Sequence, residues 1–169
     1  MALRLTLVVY PRDRRRTYQS NSSLAETMKI YFACSITGGR EDERVYQAIV
    51  ESLLAGGHQV PTAHLAHPDV LDLEAVVDPV EVYRRDINWI NNSDALIAEV
   101  STPSHGVGFE ISYALGREIP VLCCYQQGKR VSKMLTGNTS PFLRVDHYRS
   151  SEEAVQLVTD FIASISSIS

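Results

Sequence analysis

Two carboxylate side chains fall on the apolar faces of predicted helices. Asp86 precedes Ile90 by four residues, and Glu110 follows Val107 by three. Residues three or four positions apart share one face of a helix, so both acids are expected to point inwards. A carboxylate in that position needs a partner or a chemical role. Two of them converging on one crevice would suit the cleavage of a glycosidic bond, with one as nucleophile and the other as acid.

Each acid also has an ordinary structural interpretation. Glu110 is expected near the first turn of its helix, where the helix dipole favours an ionised carboxylate and where capping glutamates are common. Its expected direction, towards a ligand crevice rather than bulk water, favours the chemical role. Asp86 could take part in a structural ion pair, although Arg84 and Arg85 are expected to point elsewhere. The spacing therefore leaves both interpretations open.

Hydroxyl and glycine residues fill the loop after the first predicted strand. The segment is Ser35-Ile36-Thr37-Gly38-Gly39. Its glycines let the backbone approach a ligand closely, and the helix that follows is expected to direct free N–H groups to the same place. The segment therefore predicts a phosphate cradle. It matches neither the Walker loop nor G-x-G-x-x-G, and a strand-to-helix turn needs glycine and a cap in any case.

The other candidates for chemistry are weaker. His64 and His67 have the spacing of metal ligands, but no third ligand follows at a sensible distance, so no metal site is predicted. Cys34 has no obvious histidine partner and is interpreted as a small core residue. The sequence predicts no cofactor.

Composition limits the partners of the protein. The 169 residues are 44% hydrophobic and 21% charged, which is typical of one globular domain. No run of about 18 apolar residues occurs, so no membrane-spanning helix is predicted. The formal net charge of -4 argues against binding to a nucleic acid polymer and leaves small molecules such as free nucleotides. The three cysteines make a poor disulfide framework, which indicates a reducing, cytoplasmic location.

Residues 1–27 differ from the rest of the chain. They carry five arginines against two acids and are rich in serine. Such a segment could be an organelle transit peptide. We prefer an upstream start, because Met28-Lys29 followed by an apolar run is typical of a natural beginning. Residues 1–27 are therefore predicted to be an extension, in which Leu5–Tyr10 could add a strand, and residues 28–169 to be the folded domain.

Strands alternate with helices from Met28 onwards, and such an order predicts a mainly parallel sheet with helices on both faces. We expect a single Rossmann-like (flavodoxin-like) α/β domain with five strands. Ligands of such sheets bind beyond the carboxyl ends of the strands, where residues 35–39 and 101–106 form loops. The predicted strands are residues 30–34, 59–64, 94–100, 121–125 and 142–145. The predicted helices are residues 40–55, 80–91, 106–117 and 131–135 and a last one marked by 154–161, with loop or broken helix over 65–78.

Four separate strings carry a resemblance to a known family. They are Tyr31-Phe32-x-x-Ser35-Ile36-x-Gly38-Gly39-Arg40-Glu41-Asp42, Asp86-x-Asn88-Trp89, Ala98-Glu99-Val100 and Pro103-Ser104-x-Gly106-Val107-Gly108-x-Glu110. In this order they resemble the 2′-deoxynucleoside 5′-phosphate N-hydrolases, relatives of the nucleoside 2-deoxyribosyltransferases. The resemblance covers about residues 29–165. It implies hydrolysis of the N-glycosidic bond of a deoxynucleoside monophosphate, with free base and deoxyribose 5-phosphate as products.

The resemblance also implies roles for single residues. Glu110 matches the nucleophile, Asp86 the second acid and Tyr31 the tyrosine that orients the nucleophile. Thr37 stands where the best-known relatives have arginine. The positions matched to phosphate binding are Ser35, Gly39, Ser104 and Ser132, and those matched to the base are Ile36 and His64. Ser132 would act from the second subunit of a homodimer, and Gly38 and Gly106 belong to the matched glycines of the site.

Two other functions stay open at this point. A deoxyribosyltransferase would pass the sugar to a second base instead of water, although the hydroxyls and glycines of the loops favour a substrate with a 5′-phosphate. A non-catalytic nucleotide-binding module would gain nothing from two anions beside its ligand.

Overall fold

A parallel sheet lies at the centre of the protein. The computed structural model describes residues 27–39 and 41–166, without the side chain of Leu73. Within those residues the sheet has four strands, all parallel and adjacent in chain order. They are β1 (Ile30–Ala33), β2 (Ala95–Glu99), β3 (Val121–Gln126) and β4 (Leu143–Tyr148). Strand β2 is buried along its whole length, as its continuous apolar run predicts for an inner strand.

Helices cover both faces of this sheet, which confirms the predicted α/β class. Helices α1 and α6 pack on one face, and α3 and α4 pack on the other. The helices are α1 (Glu43–Ala55), α2 (Val70–Ala75), α3 (Pro79–Asn91), α4 (His105–Gly116), α5 (Lys133–Thr136) and α6 (Ser151–Ser166), with a 3₁₀ helix at Ala63–Ala66. The segment predicted as loop or broken helix is therefore a 3₁₀ turn followed by the short α2.

Strand alternation decides which residues of β1 face the site. Phe32 packs with α1 and α6, whereas Tyr31 packs with α3 and α4. Successive side chains of a strand point to opposite faces, so a shift of one residue would exchange the two rings. The register of β1 against β2, with Tyr31 opposite Leu96, therefore directs the tyrosine towards α4.

The strand predicted over residues 59–64 does not form. Gln59 makes one isolated parallel bridge to Lys29, and its N–H donates to the carbonyl of Met28. The next donor of such a ladder would be the N–H of residue 61, which Pro61 lacks. Thr62 takes over instead, because its Oγ1 accepts from the backbone N–H of Phe32 at 2.9 Å. The prediction of five strands is thus wrong by one within the described residues.

The bridge at Gln59 still preserves the flavodoxin-like order. The carbonyl of Lys29 accepts from Asp94, next to β2, while the N–H of Ile30 donates to the carbonyl of Gln59. Backbone groups of successive strand residues point to opposite edges, so Gln59 lies on the edge of β1 away from β2. The segment therefore occupies the place of the second strand in the flavodoxin order, reduced to a single bridge.

Other boundaries differ little from the predicted ones. Helix α3 begins one residue early at Pro79, because the side chain of Asp78 accepts from the N–H groups of Val80 and Glu81. Helix α1 begins at Glu43, three residues later than predicted. Among the described helices, none is both long and apolar enough to cross a membrane. The strand predicted at Leu5–Tyr10, like nearly all of the predicted extension, lies outside the described residues.

The role of Thr62 at the edge of β1 can be tested by substitution. Thr62 is fully buried, and Thr62→Val would leave the N–H of Phe32 buried without an acceptor. We expect the free energy of unfolding to fall by about 1–3 kcal/mol, measured by urea denaturation. Thr62→Ser keeps the hydroxyl group and should lose clearly less. Equal losses in the two variants would contradict this role of the hydroxyl group.

Candidate active site

A cavity of about 610 Å³ opens at the carboxyl ends of β1 and β2. Its walls come from the loops after these two strands and from α2, α3 and α4. Predicted site residues that line it are Ile36, Thr37, Asp86, Ser104, Gly106 and Glu110. The place of the cavity agrees with the rule that parallel sheets bind ligands beyond the carboxyl ends of their strands. The volume is in the range of small-molecule sites.

Glu110 is held by a tyrosine of the first strand. The hydroxyl group of Tyr31 donates to Oε1 of Glu110 at 2.7 Å. Helix α4 is capped by Ser104, whose hydroxyl accepts from the N–H of Val107, so Glu110 does not cap the helix. The capping interpretation of Glu110 is therefore wrong, and the contact with Tyr31 is present.

Burial, rather than the helix dipole, controls the charge of Glu110. The residue is the sixth of α4, beyond the first turn in which the dipole acts. Burial raises the pKa of Glu110 to about 7, the hydrogen bond from Tyr31 opposes this rise, and the charge of Asp86 adds to it. The expectation of a glutamate kept ionised by the dipole is thus wrong. Burial also raises the pKa of Tyr31, so the phenol remains the donor.

Asp86 is bound by its neighbour Arg85. The guanidinium Nε donates to Oδ1 of Asp86 at 2.9 Å, and Nη2 lies 3.0 Å from Oε2 of Glu74 on α2. Arg85 was expected to point elsewhere, and this expectation is wrong, whereas Arg84 is exposed. Burial raises the pKa of Asp86, while the hydrogen bond and charge of Arg85 lower it. Arg85 and Glu74 both line the cavity, and no pattern in the sequence indicated either of them as a site residue.

A histidine contacts the other carboxylate oxygen of Glu74. Nε2 of His64 lies 3.0 Å from Oε1 of Glu74, and its ring meets the edge of Trp89 at 5.9 Å between centroids. His64 does not line the cavity itself but contacts Glu74, which does. His67 lies at the surface beside Asp69. Among the described side chains, no group of three or more His, Cys, Asp or Glu has metal-binding geometry.

The two loops at the strand ends lie close together. A Cβ atom on Gly38 would lie 2.6 Å from the carbonyl of Pro103 and 2.8 Å from Oγ of Ser35, so only glycine fits there. Gly39 has a φ of 124°, which also favours glycine. Ser35 is fully buried, and its Oγ has no hydrogen-bond partner among the described residues. A buried hydroxyl without a partner is costly unless a ligand supplies one.

The free helix N-terminus at the cavity belongs to α4 and not to α1. Asp42 precedes helix α1 and Glu43 is its first residue, so two acids already interact favourably with the dipole of this helix. Helix α4 has no acid in its first turn, and Ser104 and Gly106 from its start line the cavity. The sequence predicts that α1, the helix after the glycine loop, directs its N–H groups to the ligand. In the structure the start of α4 lies at the cavity instead. Backbone N–H groups at such a terminus favour anions.

Ser132 lies apart from the cavity of its own chain. It is exposed, it caps the short α5 by accepting from the N–H of Met134, and it is not a lining residue.

An aromatic surface borders the cavity on another side. We use this name for Tyr83, Phe109 and Tyr113, whose rings lie 6.2 and 6.3 Å apart in succession. Tyr83 and Phe109 are 56% and 50% exposed, and such a grouping is typical of an interface.

Relatives of known name share most of the chain. A protein of Methanosarcina mazei named "Putative 2′-deoxynucleoside 5′-phosphate N-hydrolase 1" is 39% identical over 136 residues, which are 80% of this chain and 84% of the relative. The 5-hydroxymethyl-dUMP N-hydrolase of Esox lucius is 40% identical over 131 residues, which are 74% of this chain and 90% of the relative. The predicted resemblance to the N-hydrolases is confirmed.

The fold has a counterpart among solved structures. A CMP N-glycosidase of Clostridium botulinum matches with a TM-score of 0.59 at 17% identity, covering 79% of this chain and 99% of that one. At this identity the likeness concerns the fold. The family model described as nucleoside 2-deoxyribosyltransferase matches residues 30–155. The chain therefore belongs to the nucleoside 2-deoxyribosyltransferase family.

Proposed function

We propose that this protein hydrolyses the N-glycosidic bond of 2′-deoxynucleoside 5′-monophosphates. The products are the free base and 2-deoxyribose 5-phosphate. The observation that carries the proposal is the hydrogen bond from Tyr31 to Glu110, an acid that lines the same cavity as Asp86. The names of the relatives, which are N-hydrolases of nucleotides, support the same reaction.

The reaction proceeds in two displacement steps. The carboxylate of Glu110 attacks C1′ of the sugar, a C1′–O bond forms, and the C1′–N bond breaks with its electron pair going to the base. Asp86 gives its proton to the leaving base. Water then attacks C1′, returns a proton to Asp86 and releases the glutamate as a carboxylate. Tyr31 orients the nucleophile through its hydrogen bond.

The two carboxyl groups must share one proton for this chemistry. Burial raises the pKa of both, and the charge of Asp86 raises that of Glu110 further. The reactive form has Glu110 ionised and Asp86 protonated, and the titration belongs to the pair. The bond from Tyr31 favours charge on Glu110, which makes the nucleophile available near neutral pH.

The phosphate group of the substrate would bind where the two loops meet. Ser35 brings a buried hydroxyl without a protein partner, and the start of α4 brings Ser104 and backbone N–H groups. Gly38 and Gly39 keep the loop free of side chains, so the backbone can approach the anion. Thr37 lines the cavity and offers a hydroxyl group at the position where the family resemblance implies an arginine. Ile36 and His64 are assigned to the side of the base.

Replacing the nucleophile tests the mechanism. Glu110→Gln keeps the shape but removes the attacking charge, so kcat should fall by about a thousandfold or more while nucleotide Kd stays nearly unchanged. Base release, followed by chromatography, and Kd are measured on the same sample. Glu51→Gln, an exposed acid on α1 at the opposite face of the sheet, is the matched control and should keep its kcat. Near-normal turnover of Glu110→Gln would end the proposed mechanism.

A requirement for the 5′-phosphate follows from the cradle. Hydrogen bonds to a charged group contribute about 1.5–3 kcal/mol each, so deoxynucleosides without the phosphate should lose at least about a hundredfold in kcat/KM. Each substrate is assayed with and without a second free base. Equal turnover without phosphate, together with formation of a new nucleoside, would favour a deoxyribosyltransferase. Base release from no nucleotide would favour a non-catalytic binding module.

The protein is further proposed to act as a homodimer in which Ser132 completes the neighbouring site. The aromatic surface beside the cavity supports an interface there. Ser132→Ala should raise KM more than it lowers kcat. Mixing Ser132→Ala with Glu110→Gln subunits should restore activity at low substrate, because each mixed dimer then holds one intact site. A monomer of full activity in light scattering, or mixing without recovery, would contradict the arrangement.

A further inference from the structure

Arg85 is placed between two carboxyl groups on different elements. Its Nε binds Asp86 on its own helix, and its Nη2 binds Glu74 on α2. Less than a quarter of each of the three side chains is exposed. The guanidinium carbon also lies 4.8 Å from the ring centre of Trp89, within the range of a cation–π contact. Three contacts in different directions leave the planar group little freedom.

The neighbouring arginine of the same helix is placed differently. Arg84 stands one position earlier in α3 and is exposed. One residue along a helix is a rotation of about 100°, so the two side chains leave the helix on different sides. Arg85 is the one that faces the cavity, next to Asp86. The pair therefore provides a functional candidate and a matched control.

We propose that Arg85 is a positioning residue of the reaction, which fixes the Asp86 carboxyl group at the cavity wall and sets the pH range in which Asp86 exchanges its proton with the leaving base. The inference rests on the proposed hydrolysis and deepens it. A planar guanidinium that binds through Nε and Nη2 imposes a defined orientation on both carboxyl groups, which the ammonium group of a lysine does not. Arg85 need not touch the substrate for this role.

The charged groups around Asp86 determine the direction in which each of them shifts its pKa. The groups that face it are Glu74 on α2, His64 on the 3₁₀ helix, Glu110 on α4 and Tyr31 on β1, besides Arg85 itself. Arg85 favours the ionised form of Asp86, whereas the negative charge of Glu74 disfavours it. Removing Arg85 therefore extends the protonated form to higher pH, and removing the charge of Glu74 restricts it to lower pH.

Opposite shifts in two variants are the decisive measurement. The pH profile of kcat/KM for base release is recorded for the wild type, Arg85→Met, Glu74→Gln and the control Arg84→Met. We expect Arg85→Met to move the alkaline limb of the profile, where Asp86 loses its proton, to higher pH by about one unit. Glu74→Gln should move this limb to lower pH, and Arg84→Met should leave it unchanged. Arg85→Lys keeps the charge and should restore the wild-type profile while kcat/KM stays at least about tenfold reduced.

The outcomes separate this inference from the reaction on which it rests. A wild type that releases no base refutes the proposed function. With an active wild type, the role of Arg85 is refuted if either Arg85→Met or Glu74→Gln keeps the wild-type profile, or if Arg85→Lys has full activity. Melting temperatures identify a variant that fails to fold, and if Arg85→Met fails in this way, Arg85→Lys and Glu74→Gln decide.

Discussion

The hydrogen bond between Tyr31 and Glu110 joins the sheet to the helix that carries the acid. It requires that Tyr31 faces α4 and that the loop after β2 brings Glu110 to the end of β1. Both conditions depend on the parallel register of β1 and β2. A slip of one residue would turn Phe32 towards α4, and a phenylalanine could not hold the carboxylate. The site therefore depends on the packing of the sheet more than on any loop.

Buried negative charge is the main electrostatic constraint of the cavity. Glu110, Asp86 and Glu74 all line it, and burial disfavours the ionised form of each. The protein offsets this cost with one donor for Glu110, namely Tyr31, and with one cation, Arg85, shared by the other two. Unpaired buried carboxylates would otherwise take up protons or destabilise the fold. The same arrangement gives the two acids different surroundings, which acid–base chemistry at a single site requires.

The part of the site that we propose for the phosphate group differs from the acidic part in the groups that it offers a ligand. There the backbone and small hydroxyl side chains take the place of charged groups, with Gly38 in close contact with the loop at Pro103. Fixed N–H groups at the start of α4 can hold an anion without a lysine or arginine among the residues that we assign to it. A cation at this end would add to the cost of burial, whereas N–H groups at a helix start are present in any case. Thr37 is consistent with such a site.

Periodicity in the sequence predicted the fold class, all four strands of the sheet and the inward direction of Glu110 and Asp86, whereas Tyr31 was indicated only by the resemblance to a family. These features depend on local patterns, because strand alternation and helix spacing are properties of neighbouring residues. The failed strand at residues 59–64 also had a local signal in Pro61, but only the structure shows Thr62 in its place.

Tertiary structure alone decided the contacts of Arg85, the pKa of Glu110 and the choice of α4 as the free helix N-terminus at the cavity. Arg85 and Glu74 are eleven residues apart on two different helices, and only the folded chain brings their side chains into contact. The raised pKa of Glu110 comes from burial by residues of several elements. Burial and distance through space are set by the packing of the whole chain, so no local pattern of residue types contains them.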